Sequence, residues 1–272
     1  MKSVSEHYFY ISETEYDETK KGMFDFHYHD CYEMYYLFSG KRRYLINCNL
    51  FDVDAGDIIL IKKNELHMTK RLDEPFGNNM KIYMNDKTLQ SLGLGAEKFK
   101  ECFKYNHISL PIKQKNYVSS IFSKIRKEYK DKTPFSKQLT QNLVYELLVY
   151  IYRFIFTEQG YNFDLSKSQS NEINKAIKYI YTNYNKKLSL TEIAEYVHMN
   201  PTYFSRHFKM STGINLTDYI NIIRIKHATN LIKSTNMTLT EIAHACGYNE
   251  QAYFCKQFKK INGCTAREFK KL

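Results

Sequence analysis

One pattern near the C-terminal end of this 272-residue chain occurs twice, about fifty residues apart. Leu190-Thr191-Glu192-Ile193-Ala194 returns as Leu239-Thr240-Glu241-Ile242-Ala243. Tyr203-Phe204, Phe208-Lys209 and Gly213 return as Tyr253-Phe254, Phe258-Lys259 and Gly263. From Ala to Tyr the gap is nine residues in the first copy and ten in the second. Such a repeat is one supersecondary unit used twice, which obliges the region to fold as two similar packed pieces. Each copy reads as a short helix, a tight turn and a second helix with basic residues on its open side, the outline of a helix-turn-helix.

Charge follows the repeat. The chain carries 40 Lys+Arg against 29 Asp+Glu, a formal net charge of +11. Residues 171–272 hold 15 basic and 7 acidic side chains, whereas 1–170 hold 25 and 22. A basic block confined to one segment implies a polyanionic partner for it, of which nucleic acid is the commonest. The six cysteines at 31, 48, 102, 246, 255 and 264 include no C-x-x-C pair, and a chain of this size does not need disulfide staples. The first residues lack the basic-then-apolar pattern of a secretory signal. The longest apolar run, Leu147 to Phe156, is broken by Arg153 and is too short for a membrane span. A reducing cytoplasm and no membrane partner are expected.

Three regions follow along the chain. From about 5 to 110 the pattern is mostly strand-like, suggesting a barrel or sandwich. Tyr35-Tyr36-Leu37-Phe38, Ser39-Gly40 and Arg43-Tyr44-Leu45-Ile46 read as a hairpin, and Ala55-Gly56-Asp57 as a turn feeding the buried strand Ile58–Ile61. From about 114 to 158 the period becomes helical. Val118, Ile121, Phe122, Ile125 and Tyr129 form one stripe; after Thr133-Pro134 a second helix carries Leu139, Leu143, Leu147, Tyr150 and Phe154. Asp164 to Asn171 is polar and serine-rich, a linker, and the remainder is helical.

Within the last region, a helix from Asn171 to Tyr184 buries Ile173, Ile177 and Ile180. Ser189 caps the next helix, with Glu192 completing a capping box. Asn200-Pro201 starts the following one. Spacing turns Tyr203, Phe204 and Phe208 inward and Thr202, Ser205, Arg206 and Lys209 outward. In the second copy Gly247 makes the turn and Asn249 the cap; Glu250, Gln251, Lys256 and Lys260 face out, with Phe254 and Phe258 inward. Between the copies, Ile214 to Lys233 is a longer helix burying Tyr219, Ile220, Ile223 and Leu231. Such a connector can hold two recognition helices about one duplex turn, roughly 34 Å, apart.

These motifs, together with Arg224 and Ile242-Ala243-His244-Ala245-Cys246-Gly247-Tyr248, resemble the double helix-turn-helix domain of AraC/XylS-type transcriptional regulators, over more than a third of the chain. The resemblance implies base contacts from Thr202, Ser205 and Arg206, and from Gln251, Ala252, Tyr253, Cys255 and Lys256. Two features depart from it. Thr265 to Lys270 lacks the usual proline and Tyr-Arg pair, and Lys256 stands where arginine is common, so Arg206 is the stronger base reader.

In the first half, Gly22, His27, His29, Glu33 and Gly40 resemble one cupin motif, and Gly56 with His67 part of a second, although Lys62 and Asn64 replace its Pro and Gly. The same parity of His27, His29 and Glu33 would place them on one strand face. The expected fold is therefore α+β in two domains. Residues 1–160 form a cupin-like ligand-sensing and dimerisation barrel with a helical pair, 161–170 a linker, and 171–272 an all-α double helix-turn-helix. The expected function is DNA-binding regulation of transcription rather than catalysis, controlled by a small molecule, with a sugar the commonest such effector in the family. His27, His29, Glu33, Tyr35, Tyr44 and His67 are the candidate ligand contacts, with no metal or other cofactor. A homodimer through the helices at 114–158, around Leu139, Leu143 and Leu147, would double the DNA footprint. One rival is a metal-dependent cupin enzyme with a DNA-binding appendage, using His27, His29, Glu33 and His67. Another is a regulator that answers to a protein partner.

Overall fold

The computed structural model describes residues 10–14, 26–72, 78–93, 95–158 and 172–271. Gly22 and the expected linker at 161–170 lie outside them. The chain divides into two compact units, residues 1–46 with 50–168 and residues 47–49 with 169–272. No described helix is long and apolar enough to cross a membrane.

Among the described residues the first unit has eight strands: β1 (Tyr10–Thr14), β2 (Tyr32–Leu37), β3 (Lys41–Ile46), β4 (Asn49–Asp54), β5 (Ile58–Ile61), β6 (His67–Arg71), β7 (Asn79–Met84) and β8 (His107–Ile108). One sheet runs β1-β7-β2-β5-β8 and the other β4-β3-β6. Between β7 and β8 lie two short helices that the strand-like reading did not anticipate, α1 (Asp86–Ser91) and α2 (Ala96–Cys102). The helical pair follows as α3 (Ile112–Asp131) and α4 (Ser136–Arg153), the latter continuing into a π-helical turn (Phe154–Glu158).

The expected hairpin between residues 35 and 46 does not form. β2 has β5 on one edge, with Tyr35 opposite Ile59, and β7 on the other, with Tyr35 opposite Lys81. Both edges of β2 are thus occupied, and Ser39-Gly40 (φ +85° at the glycine) carries the chain across to the second sheet, where Tyr44 pairs with Thr69 of β6.

Strand periodicity then sorts β2 between two cores. Met34 and Tyr36 enter a large apolar cluster with Ile58, Leu60, Ile82, Val118, Phe122, Leu143 and Leu147. Tyr36 stacks on Phe122 with ring centroids 4.2 Å apart. Tyr35 and Leu37 point the other way, joining Tyr44, Ile46, Phe51, Val53, Ile59 and Ile61 between the sheets. This corrects the expected dimer face. Leu143 and Leu147 are buried against their own sheet and α3, and only Leu139 of the three is exposed. Tyr129, one turn beyond the buried stripe, is exposed as well.

The second unit is helical: α5 (Glu172–Asn183), α6 (Leu190–Tyr196), α7 (Pro201–Thr212), α8 (Leu216–Ser234), α9 (Leu239–Ala245), α10 (Gln251–Asn262) and α11 (Ala266–Phe269). Ile173, Ile177 and Ile180 of α5 are buried as expected, as are Tyr219, Ile220 and Ile223 of α8; Leu231 is half-buried and Ile232 takes the core position. Both copies open on capping boxes, Ser189 with Glu192 and Thr238 with Glu241.

The two turns match bond for bond. Met199 N–H donates to Ala194 O (2.9 Å) and Tyr248 N–H to Ala243 O (3.0 Å). His198 (φ +56°) and Gly247 (φ +81°) occupy the same left-handed position. The extra residue of the second copy falls just after this turn. Asn200 caps α7 with its side chain on the Thr202 and Tyr203 N–H groups. Glu250 holds the cap position of α10 and makes no side-chain cap bond. The expected cap, Asn249, is the inserted residue between turn and cap.

Candidate functional site

In the second unit α7 and α10 each follow a short helix and turn, and each buries two phenylalanines, Phe204 with Phe208 and Phe254 with Phe258. The opposite face of α7 presents Thr202, Arg206 and Lys209 to solvent, with Ser205 half-buried beside them. Tyr203, expected inside, is 60% exposed, because it lies one residue before the buried Phe204 and so falls on the open side. The equivalent residues of α10 lie fifty positions on: Ala252, Cys255, Lys256 and Lys259, all exposed. Gln251 and Glu250 are exposed at its start. Among the described residues, Arg206, Lys209, Lys256 and Lys259 carry cations on these faces with no hydrogen bond or ion pair to their side chains. Lys260 differs, since its ammonium pairs with Asp218 of α8 at 3.1 Å.

The connector sets the relation between the two copies. Arg224 of α8 donates from Nε to Tyr184 O and from Nη2 to Lys186 O, both at 2.8 Å, and its guanidinium lies 5.3 Å from the Tyr248 ring centroid. Asn221, buried on α8, accepts from Tyr248 Oη (3.0 Å) and donates to Tyr253 Oη (3.2 Å). The second turn and the start of α10 are thereby fastened to α8. Tyr253, a candidate base reader, is 42% exposed with its hydroxyl already engaged.

In the first unit, alternation along β2, β3 and β6 turns Glu33, Tyr35, Arg42, Tyr44, His67 and Thr69 toward the space between the sheets. Glu33 is fully buried, and its Oε2 accepts from His29 Nε2 at 2.9 Å. His67 Nδ1 donates to Glu65 O (2.8 Å), which leaves Nε2 facing Glu33 Oε2 at 3.8 Å. Lys81 lies 3.7 Å from Glu33 Oε1. Burial opposes ionisation of Glu33, yet Lys81 and the two histidines hold its carboxyl below the usual range. Burial likewise opposes charge on His29, but its hydrogen bonds to Cys31 and Glu33 lift it to about 10. His67 goes the other way, pushed down to about 3 by burial against the attraction of Glu33.

His29, Glu33 and His67 bring one ligand atom each within 4.8 Å of one another, a set chemically able to hold a first-row divalent ion. Strand parity is not what gathers them. His27 and His29 precede β2, and a bridge between His27 and His67 brings that segment across. His27 is itself exposed, its ring 4.2 Å from that of His67, and it stands outside the three-residue group. Tyr35 and Tyr44 are buried with ring centroids 5.1 Å apart.

Residues 10–148 match the AraC-like ligand binding domain, and residues 193–272 match a helix-turn-helix domain. The chain belongs to the AraC family of transcriptional regulators. Its first unit is thus the cupin-like portion of an AraC-type chain and its second the helix-turn-helix portion. An uncharacterised HTH-type transcriptional regulator of Staphylococcus aureus is 25% identical over 239 residues, which are 86% of this chain and 31% of that protein. The chain therefore spans about a third of the length of that relative. A second, YijO of Escherichia coli (strain K12), is 31% identical over 105 residues, 38% of this chain and 37% of its own. Among solved structures, an apo variant of ToxT from Vibrio cholerae aligns over 97% of both chains at 15% identity, with a TM-score of 0.42.

Three residues of this AraC-type chain were not among the candidate contacts read from the sequence. Lys259 stands in the repeat as the equivalent of Lys209, and the same offset of fifty residues makes it a contact candidate. Asn221 is, with Thr229, one of two polar residues among the buried positions of α8, a weaker signal. Arg42 sits in a strand whose alternation marks it as inward-facing, despite its charge.

Proposed function

We propose that this AraC-type chain regulates transcription by reading double-stranded promoter DNA with α7 and α10, under the control of a small molecule bound between the sheets of the first unit. The observation that carries the DNA reading is the pair of matched helix faces whose cations, Arg206 with Lys209 and Lys256 with Lys259, make no hydrogen bond or ion pair among the described residues. A fork-shaped guanidinium at Arg206 suits a bidentate contact to guanine, and the lysines suit phosphates. Thr202, Ser205, Gln251 and Tyr253 fill the same faces, with Glu250 at the head of α10.

The effector acts only if its affinity differs between the DNA-binding and non-binding states of the protein. Sugars are the first class to screen, since Tyr35, Tyr44, Glu33 and His67 offer both aromatic rings and hydrogen-bonding groups. Cytoplasmic operation follows from the DNA target. The three-donor group at His29, Glu33 and His67 also favours a second reading, a metal-dependent enzyme joined to a DNA-binding unit. Stoichiometric metal in protein purified without chelator is what that reading requires.

Arg206→Ala is expected to weaken binding to a duplex selected from a random pool by roughly 1–3 kcal/mol and to relax base preference at one position. Lys209→Ala should weaken all sequences alike and lower the salt slope by about one. Fluorescence anisotropy across a salt series measures both. An Arg206→Ala protein with unchanged affinity and preference would remove the docking scheme. Dimerisation through the outer face of α3 and α4, where Tyr117, Leu139 and Tyr145 are exposed, should appear in sedimentation velocity as a dimer. A monomer at micromolar concentration would count against it.

A further inference from the structure

Arg42 is the most unusual residue between the sheets. It is 8% exposed, and its Nε is buried without a hydrogen-bond partner among the described residues. No carboxylate of the described residues pairs with it; its neighbours are the Tyr35 ring, 6.0 Å from the guanidinium carbon, and Tyr44. A guanidinium stays ionised in proteins, so it cannot escape burial by losing its proton, and an unpaired buried charge is strongly unfavourable. Around it lie the buried hydroxyls of Tyr35, Tyr44 and Thr69, which neighbour one another, Tyr35 beside Tyr44 and Tyr44 beside Thr69. All four groups are hydrogen-bond donors, three of them hydroxyls that can turn toward an acceptor.

The other charges facing this space are accounted for differently. Glu33 is held by His29 at 2.9 Å and has Lys81 at 3.7 Å. Arg71 lies directly across from Arg42 in the β3–β6 register and has interactions of its own. Lys81 stands against Glu33, which leaves Arg42 without a carboxylate among the described residues. Below the polar groups lies an apolar layer of Leu37, Ile46, Phe51, Val53, Ile59 and Ile61.

We infer that the effector is a monocarboxylate, an organic or sugar acid whose carboxylate pairs with Arg42 and accepts from Tyr35, Tyr44 and Thr69. This rests on the reading of the first unit as the effector domain and narrows it from small polar molecules to acids. The planar fork of arginine matches a carboxylate with two parallel hydrogen bonds.

The test uses the full chain and matched pairs of probes: galacturonate with galactose, gluconate with glucitol, and benzoate with benzyl alcohol. Melting temperature and calorimetric affinity are measured for the wild type and for Arg42→Met. We expect the acid of at least one pair, and not its neutral partner, to raise the melting temperature of the wild type by mass action. In Arg42→Met that acid should bind at least tenfold more weakly. Without any probe, Arg42→Met should melt at or above the wild-type temperature, because it removes an unpaired buried charge. A lower melting temperature for the unliganded variant would assign Arg42 a structural partner and overturn the inference. Neutral probes that bind as well as their acids, independently of Arg42, would overturn it while leaving the effector reading intact. A flat response to every probe in both proteins would count against the effector reading and take the inference with it.

Discussion

Gly247→Ala is expected to destabilise the second unit by about 2–5 kcal/mol and to abolish DNA binding, whereas Gly263→Ala should cost about 1 kcal/mol. The two glycines share a left-handed backbone, φ +81° and +76°, so the conformational penalty is the same for both. Their surroundings differ. A Cβ on Gly247 would sit 2.7 Å from Asn185 O and 2.9 Å from the Asn185 carbonyl carbon and Cα. A Cβ on Gly263 would meet nothing within 4 Å. The obstructing atoms at Gly247 are backbone, in the segment that Arg224 fixes through Tyr184 O and Lys186 O, so no rotamer change relieves the overlap. His198 marks what the turn itself tolerates, since it carries a side chain at φ +56° in the first copy. Urea unfolding followed by circular dichroism compares the two variants, with anisotropy on the selected duplex as the functional readout. Equal losses for the two would show that backbone conformation, and not the approach of Asn185, makes the glycine necessary.

This contrast also explains how far the sequence could be read. The second unit was legible because its determinants are local. Capping boxes, an Asn-Pro start and phenylalanines four apart each act within a turn or two of helix, and the repeat supplied an internal check. Where a residue's role depends on contact with a distant segment, sequence spacing said nothing: Asn221 bonds to tyrosines at 248 and 253, and Asn249 reads as a cap although it is the inserted residue. The first unit was harder for the same reason. β2 looked like half of a hairpin with β3, but its partners are β5 and β7, whose identity depends on pairings across more than twenty and forty residues. Leu143 and Leu147 were recognisable as apolar, but whether an apolar stripe meets its own sheet or another subunit is decided by tertiary packing. The inward polar set was legible in part, through parity along single strands. Its assembly from β2, β3 and β6 was not.

The largest effect expected in the first unit comes from Asp57, which follows Gly56 in the turn between β4 and β5. Its side chain is 3% exposed and accepts three hydrogen bonds: from His107 Nε2 at 2.9 Å, Lys115 Nζ at 2.9 Å and Asp54 N–H at 3.1 Å. One carboxylate thus ties this turn to β8 and to the first turns of α3. Burial would raise the Asp57 pKa, but the bonds from His107 and Lys115 outweigh it and hold the carboxyl below its ordinary value. Asp57→Ala should destabilise the unit by about 3–5 kcal/mol at pH 7, toward the lower end because Lys115 and His107 retain some access to water. Asp57→Asn keeps the shape and one acceptor oxygen, so its loss should fall between those of wild type and alanine. The pH dependence separates charge from shape. Because the folded pKa lies below the unfolded value of about 3.9, the wild type holds this contribution fully above that value and loses it as pH falls further. Chemical denaturation at pH 7 and at steps down through pH 4 should therefore show the gap between wild type and Asp57→Asn narrowing at the acid end. A gap that stays constant to the lowest pH at which the wild type folds would mean that the turn is held by the geometry of three hydrogen bonds and not by the charge of the carboxylate.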